Sequence, residues 1–438
     1  MSEPILAFLP TATKTLSHSI LSFFAFLLFV KSIDCHNTYW CLYAASTFSN
    51  VSLHLFLYCN FNRYSWFRHN KSFPGLIKMS EIKIERIKKT FDDFVAVEES
   101  DLTINNGEFF VLLGPSGCGK TTTLRMIAGL ELPTSGKILL DNEDVTFLRA
   151  SQRDIAFVFQ LFALYPHMNV RNNLAFPLKM QKFSKDEINT RINEVANLLR
   201  IDHLLSSKVS GLAGGDRQRV ALGRAIVRRP KAFLMDEPLG TLDAEFRELM
   251  CLELRKLHNN IDATTVYVTH DQLEAMSMGD RIAVMHKGRI LQHGKPKDIY
   301  TKPKTKFVGS FIGSPAMNFI PVNHTIQKNQ NSVKIDNEEY AVPKSFQNTS
   351  SQNNVLGVRP EKMFLSDNKG IPGEVYGSEY LGTRKILTIQ SRFGTYKIRV
   401  SNDVNLKIGA NVKISFDSDS AIIFDGQTDE ALHSEFIN

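Results

Sequence analysis

Five cysteines in 438 residues are too few for a disulfide framework, so a reducing compartment is the default. No run of Lys or Arg stands out and the net charge of +7 is mild, so nucleic acid is not an expected partner. No apolar stretch reaches the roughly 18–20 residues that a membrane-spanning helix wants. No compositional excess marks disorder, a collagen-like repeat or a disulfide-stapled miniprotein: 43% of residues are hydrophobic and 22% charged. At about 100–200 residues per domain, the chain has room for two to four domains.

What is present is uneven. Residues 1–78 carry six basic side chains (Lys14, Lys31, Arg63, Arg68, Lys71, Lys78) and two acidic ones (Glu3, Asp34). Charge density more than doubles at about Met79, and without the leading segment the net charge falls from +7 to +3. Both Trp (Trp40, Trp66) and three of the five Cys (Cys35, Cys41, Cys59) precede this seam. Residues 15–30 are uncharged around an apolar heart at 20–30. That heart fits a signal-peptide core, but no small-residue cleavage site follows. Three readings stay open: a membrane anchor or hairpin, a secretory signal, or an extension upstream of a true start at Met79. The segment after Met79 opens as a domain does, with Ile82, Ile84 and Ile87 near a first strand.

Residues 108–113 form a short apolar run, a candidate buried strand. Directly after it stands Gly114-Pro115-Ser116-Gly117-Cys118-Gly119-Lys120-Thr121, a phosphate-binding loop pattern without a misfit. Residues 122–129 then read as a helix. Glycines let backbone N–H groups close around phosphate oxygens, and a helix N-terminus adds positive potential. Lys120 is placed to reach the β- and γ-phosphates, and Thr121 to bind Mg²⁺.

Three further stations follow. Residues 231–236 are a second apolar run ending in Asp236 and Glu237, at the carboxyl end of a strand, where open α/β sheets place ligands. Asp236 suits a contact to Mg²⁺, and Glu237 suits a general base for water. A third β-rich run, 264–269, ends at His270, a candidate contact to the γ-phosphate. Gly214 and Gly215 stand just before a helix of mixed apolar and basic character, a second anion-binding helix end. One phosphate loop and one separate helix end per chain suggest two chains sharing two nucleotides.

In this order the sequence resembles the ATP-binding subunits of ABC transporters, specifically the carbohydrate importers, over about residues 80–425. The resemblance implies an α/β P-loop ATPase core over 79–312, with a helical subdomain at about 168–225. A C-terminal all-β, OB-like regulatory domain would follow over 313–430. It implies ATP and Mg²⁺ as ligands. Phe91 (with Phe94 a weaker candidate) would stack on adenine. The 114–121 loop and Thr122 would hold the phosphates, with Ala213, Gly214, Gly215 and Asp216 as the signature facing the partner's nucleotide. Gln160 would sense the γ-phosphate and join Thr121 and Asp236 at the metal. Glu237, His270 and Gln160 would be the catalytic set. Implied partners are a second ATPase copy, two membrane permease subunits at the cytoplasmic face of the membrane, and, indirectly, an external solute-binding protein. The substrate would be a sugar or sugar derivative.

Between Gln160 and the signature, Ser184 and Glu187 form a capping box ahead of Ile188, Ile192, Val195, Leu198 and Leu199 at helical spacing. Residues 161–168 look like the importer loop that receives a permease helix, with aromatics expected to be exposed. The tail carries short β segments such as 385–390 and 395–400, while 323–354 holds loops without a clear assignment. Ala213 and Asp216 replace the family's usual Ser and Gln. Losing a hydrogen bond to a charged group costs about 1.5–3 kcal/mol where it is made. A slowed or tightly gated ATPase is therefore expected, with a regulatory ATP-binding protein as the alternative.

Overall fold

The computed structural model describes residues 80–437 apart from 161, 241 and 262. The three readings of residues 1–78 lie outside the described residues. Strands β3 (Phe109–Leu113), β7 (Ala232–Asp236) and β8 (Thr264–Thr269) are buried at every position. Continuous apolar runs of this kind are what a parallel sheet covered on both faces requires. With β6 (Ile155–Val158), β9 (Arg281–His286) and β10 (Arg289–Gly294) they form a six-stranded sheet in the order β10-β9-β3-β8-β7-β6. All neighbours run parallel except the β9–β10 hairpin.

The period-2 alternation of a strand divides the core in two. Phe109, Val111 and Leu113 of β3 face one apolar cluster with Tyr267, Met235 and Leu254. Phe110 and Leu112 face the other, with Leu124, Ile127 and the isoleucines of a second sheet. That sheet is antiparallel, in the order β2-β1-β4-β5. It comprises β1 (Ile82–Phe91), β2 (Phe94–Ile104), β4 (Ser135–Leu140) and β5 (Glu143–Asp144). The expected opening strand is present, with Ile82, Ile84 and Ile87 all buried. Each such side chain contributes about 1.5–3 kcal/mol relative to exposure.

Helix α1 (Lys120–Ala128) follows β3. Helices α2 (Val170–Met180), α3 (Lys185–Leu199) and α4 (Gly214–Ile226) pack on one another. A Cβ at Gly223 of α4 would sit 2.9 Å from Leu174 of α2 and 3.0 Å from Leu199 of α3, so glycine permits this close approach. The capping box is half formed. The Ser184 hydroxyl accepts from Glu187 N, but the Glu187 carboxylate pairs with Arg191 at 2.8 Å. An i,i+4 ion pair on the same helix competes with the reach back to the cap. Helices α5 (Ala244–Ile261), α6 (Gln272–Met278), α7 (Pro296–Thr301) and α8 (Lys306–Phe311) complete this part.

The remainder is all β. A three-stranded sheet pairs Asn318–Val322, Asn354–Val358 and Ile422–Phe424. A five-stranded antiparallel sheet holds Met363–Leu365, Asn411–Phe416, Ile371–Tyr380, Lys385–Ser391 and Gly394–Val400 in that order. The unplaced stretch 323–354 contains a hairpin, Ser332–Ile335 with Glu338–Ala341. All three contribute to one core that includes Ile320, Val333, Leu356 and Ile398. Packing continues past residue 430, where Leu432 and Ile437 are buried. Buried Arg359 ties this part to the last helices of the α/β part, donating from Nε to Tyr300 O at 3.0 Å and from Nη1 to Gly309 O at 3.1 Å.

Candidate functional site

Strand register sets the site. Leu113 pairs with Thr269, Asp236 with Val268 and Val158 with Met235. Four parallel strands therefore end at one edge, and the residues after them (Gly114, Glu237, His270 and Gln160) leave the sheet together.

The 114–121 loop is shaped by contacts on two sides. A Cβ at Gly114 would lie 2.3 Å from Met285 O, and one at Gly119, which has φ 103°, would lie 2.6 Å from Ala96 O. Ser116 and Gly117 crown the loop in solvent. Cys118 is buried beneath it, and burial pushes its thiol up from the usual range. Lys120 is only 4% exposed, and its Nζ donates to Gly114 O at 2.8 Å and Pro115 O at 2.9 Å. Its ammonium is thus held under the loop, 3.9 Å from Glu237 Oε1. Thr122, half-buried, is the third residue of helix-forming sequence after Gly119.

Thr121 Oγ1 donates to Asp236 Oδ1 at 2.9 Å. Burial is the main cause that pushes the Asp236 carboxyl up, with the Thr121 hydroxyl opposing it. Only oxygen donors converge here, which suits a hard divalent cation. Among the described residues no group of three or more His, Cys, Asp or Glu could hold a metal, so such an ion would draw on phosphate and water for its other ligands. Glu237 has φ 44°, a left-handed conformation unusual for a residue with a Cβ. Its N–H donates to Val268 O at 3.0 Å, and its Oε2 lies 3.1 Å from His270 Nδ1. The turn aims the carboxylate across the sheet edge, toward the end of the neighbouring strand.

Gln160 is exposed, and its Nε2 would be 3.8 Å from a Cβ at Gly240, beside Glu237. Phe91 ends β1 opposite Phe94 across a tight turn, 42% exposed, with Lys89 Nζ 4.6 Å over its ring. Phe94 is more exposed still.

The signature differs from expectation. Gly214 and Gly215 are not before the helix but form the first turn of α4, and Ala213 is its N-cap. Ala213 has extended φ/ψ and makes no side-chain cap bond, because a methyl group cannot accept one. Gly215 is fixed by packing, since a Cβ there would lie 2.1 Å from the Phe246 ring. Asp216 pairs weakly with Arg219 at 3.5 Å. The loop after Gln160 also differs. Phe162 and Tyr165 are half-buried, not exposed, and Tyr165 packs on Phe176 with ring centres 4.7 Å apart. Arg224 of α4 explains this by donating to Ala163 O at 2.8 Å and Phe162 O at 3.1 Å.

Sequence reasoning missed Arg153. It is 2% exposed and its guanidinium donates to Met126 O, Ile127 O, Thr146 O and Leu148 O at 2.7–3.0 Å. It thereby caps the C-terminus of α1, where a cation also meets the negative end of the helix. No local pattern marks it, because the helix end it caps lies 26 and 27 residues earlier in the chain, at Ile127 and Met126.

Matches to known proteins agree with this geometry. The family model described as ABC transporter matches residues 97–240, MalK OB fold domain matches 313–363, and TOBE domain matches 356–424. An uncharacterized ABC transporter ATP-binding protein, YurJ of Bacillus subtilis, is 43% identical over 369 residues, covering 81% of this chain and all of that protein. The trehalose/maltose import ATP-binding protein MalK of Thermococcus litoralis is 43% identical over 372 residues, with the same shares. The sn-glycerol-3-phosphate import ATP-binding protein UgpC of Ruegeria pomeroyi is 42% identical over 356 residues, covering 81% of this chain and 99% of that protein. The chain belongs to the ATP-binding subunits of ABC transporters, a family of ATPases with an α/β cassette. Within that family it carries, C-terminally, a MalK-type OB fold domain and a TOBE domain.

Proposed function

We propose that this chain hydrolyses Mg-ATP to power import of a sugar or sugar derivative through a membrane permease. The observation that carries the reading is the convergence of Lys120, Thr121, Asp236, Glu237 and His270 at one sheet edge. The relatives named for trehalose/maltose and sn-glycerol-3-phosphate import support the substrate class.

The 114–121 loop and Thr122 bind the phosphates, and Phe91 stacks on the base. Lys120 exchanges its carbonyl partners for phosphate oxygens. Thr121, Asp236 and Gln160 would hold Mg²⁺, which would supply charge neutralisation at the phosphate oxygens. Glu237 accepts the proton of the attacking water. His270, with Nδ1 on Glu237, orients that carboxylate and leaves its other ring nitrogen for the γ-phosphate. Gln160 reports the γ-phosphate to the loop that Arg224 holds.

Two copies pair so that Ala213, Gly214, Gly215 and Asp216 of one complete the site of the other. The pair docks two permease subunits at the cytoplasmic face, and an external binding protein delivers the solute. No helix among the described residues is long and apolar enough to cross a membrane. The test is phosphate release from Mg-ATP by the full chain beside Glu237→Gln. Hydrolysis by the parent and its loss in the variant, with ATP binding kept in both, support the reading. A parent that binds ATP without hydrolysing it, alone and with its permease, overturns it.

A further inference from the structure

The segment after Glu237 touches more of the site than its sequence discloses. The Gly240 N–H donates to Glu237 O at 3.3 Å. Leu242 would lie 3.8 Å from a Cβ at Gly214, and Phe246, in the first turn of α5, fills the space against Gly215. Gly240, Leu242 and Phe246 therefore bridge the acid of the site and the first turn of α4 in the same chain.

Arg247 extends this contact. Its Nη2 donates to Leu242 O at 2.8 Å and its Nη1 to Asp271 Oδ2 at 3.1 Å. Asp271 directly follows His270 and caps α6, its Oδ1 accepting from Leu273 N at 2.7 Å and Glu274 N at 3.3 Å. Glu274 is 4% exposed and accepts from Tyr267 OH at 2.8 Å and Thr269 Oγ1 at 2.6 Å, both on the strand that delivers His270. Arg247 Nε is buried without a hydrogen bond, 3.7 Å from Glu274 Oε1. One planar fork thus spans the backbone after Glu237 and the frame that holds His270. A lysine, a single point charge, cannot hold both at fixed angles.

We propose that Arg247 is a positioning residue: it locks Leu242 to Asp271, so that a displacement of the first turn of α4, passed through Leu242 and Phe246, reaches His270 and its contact with Glu237. The proposal rests on the ATPase reading above. It assigns to one chain an internal link between its signature helix and its own catalytic pair.

The test uses the full chain, with ATP affinity, turnover and melting temperature measured for Arg247→Ala, Arg247→Lys, Asp271→Asn and the Arg247→Ala/Asp271→Asn double variant. Asp271→Asn keeps an acceptor for the cap of α6 while removing the charge that Arg247 grips. The expected result is a fall in kcat of about tenfold for Arg247→Ala and for Asp271→Asn, with ATP affinity within about twofold of the parent. The double variant is no slower than either single one, and Arg247→Lys restores the melting temperature but not kcat. If Arg247→Ala does not fold, Asp271→Asn and Arg247→Lys decide the matter by the same split. A kcat within about twofold of the parent, losses that multiply in the double variant, or affinity falling in step with kcat overturns the proposal. Full recovery of kcat in Arg247→Lys also overturns it. A parent that binds ATP without hydrolysing it overturns the ATPase reading and this proposal with it; an active parent beside an unaffected Arg247→Ala overturns this proposal alone.

Discussion

Glu237 Oε2 lies 3.1 Å from His270 Nδ1 although 33 residues separate the two. Adjacent parallel strands bring them together, and the left-handed turn at Glu237 points its carboxylate toward the end of β8. Glu237→Gln keeps size and one hydrogen-bond acceptor but cannot take a proton. Turnover is expected to fall by about a hundredfold or more, with ATP affinity retained, in phosphate-release and equilibrium-binding assays. His270→Ala leaves Glu237 without its orienting partner and is expected to lower kcat more than it changes ATP binding.

Asp236 offers a pH test. Burial raises its carboxyl pKa, so the folded state holds that proton more tightly than the unfolded chain does. The stability from protonation is present at low pH and is lost as pH rises through the raised value. Asp236→Asn is permanently neutral and can still accept from Thr121. Its melting temperature, without nucleotide, is expected to gain on the parent's as pH rises above the ordinary carboxylate range of about 4. The same variant should lose Mg²⁺-dependent hydrolysis.

Ala213→Ser acts in two separable ways. As the N-cap of α4, a serine hydroxyl supplies the missing acceptor and is expected to add about 1 kcal/mol of stability without nucleotide. If it also reaches a phosphate across the dimer, kcat rises by about tenfold or more. Thermal denaturation without ATP measures the first effect, and steady-state hydrolysis measures the second. A gain in stability without a gain in rate would confine Ala213 to a capping position.

Arg153→Ala removes the donor to four carbonyls around the end of α1. The expected loss is about 3 kcal/mol in denaturant unfolding, because buried acceptors are left without partners. Arg153→Lys should recover only part of it, since a lysine cannot present the same fork.

The parts of the site legible in the sequence are those whose chemistry is local. The 114–121 loop needs its glycines, Lys120 and Thr121 consecutively, between a strand and a helix. Asp236 and Glu237 announce themselves as paired acids after an apolar run. Ser184 is legible as a cap, and it accepts from Glu187 N, but the return contact from the Glu187 carboxylate does not form because Arg191 takes it. The aromatics after Gln160 read as exposed, yet Arg224 and Phe176, distant in sequence, draw them half inside.

By itself the sequence determined the buried runs that become β3, β7 and β8, the Gly-rich loop that follows the first of them, and the family, since these follow from runs and spacings along one chain. Tertiary structure decided which ends meet. The register of β3, β8 and β7 set Lys120, His270 and Glu237 at one edge. It made Ala213 a cap and Gly215 a packing contact with Phe246, and it enlisted Arg153 and Arg247. A guanidinium's role lies in the carbonyls and carboxylates that folding gathers around it, and no residue beside it in the chain records them.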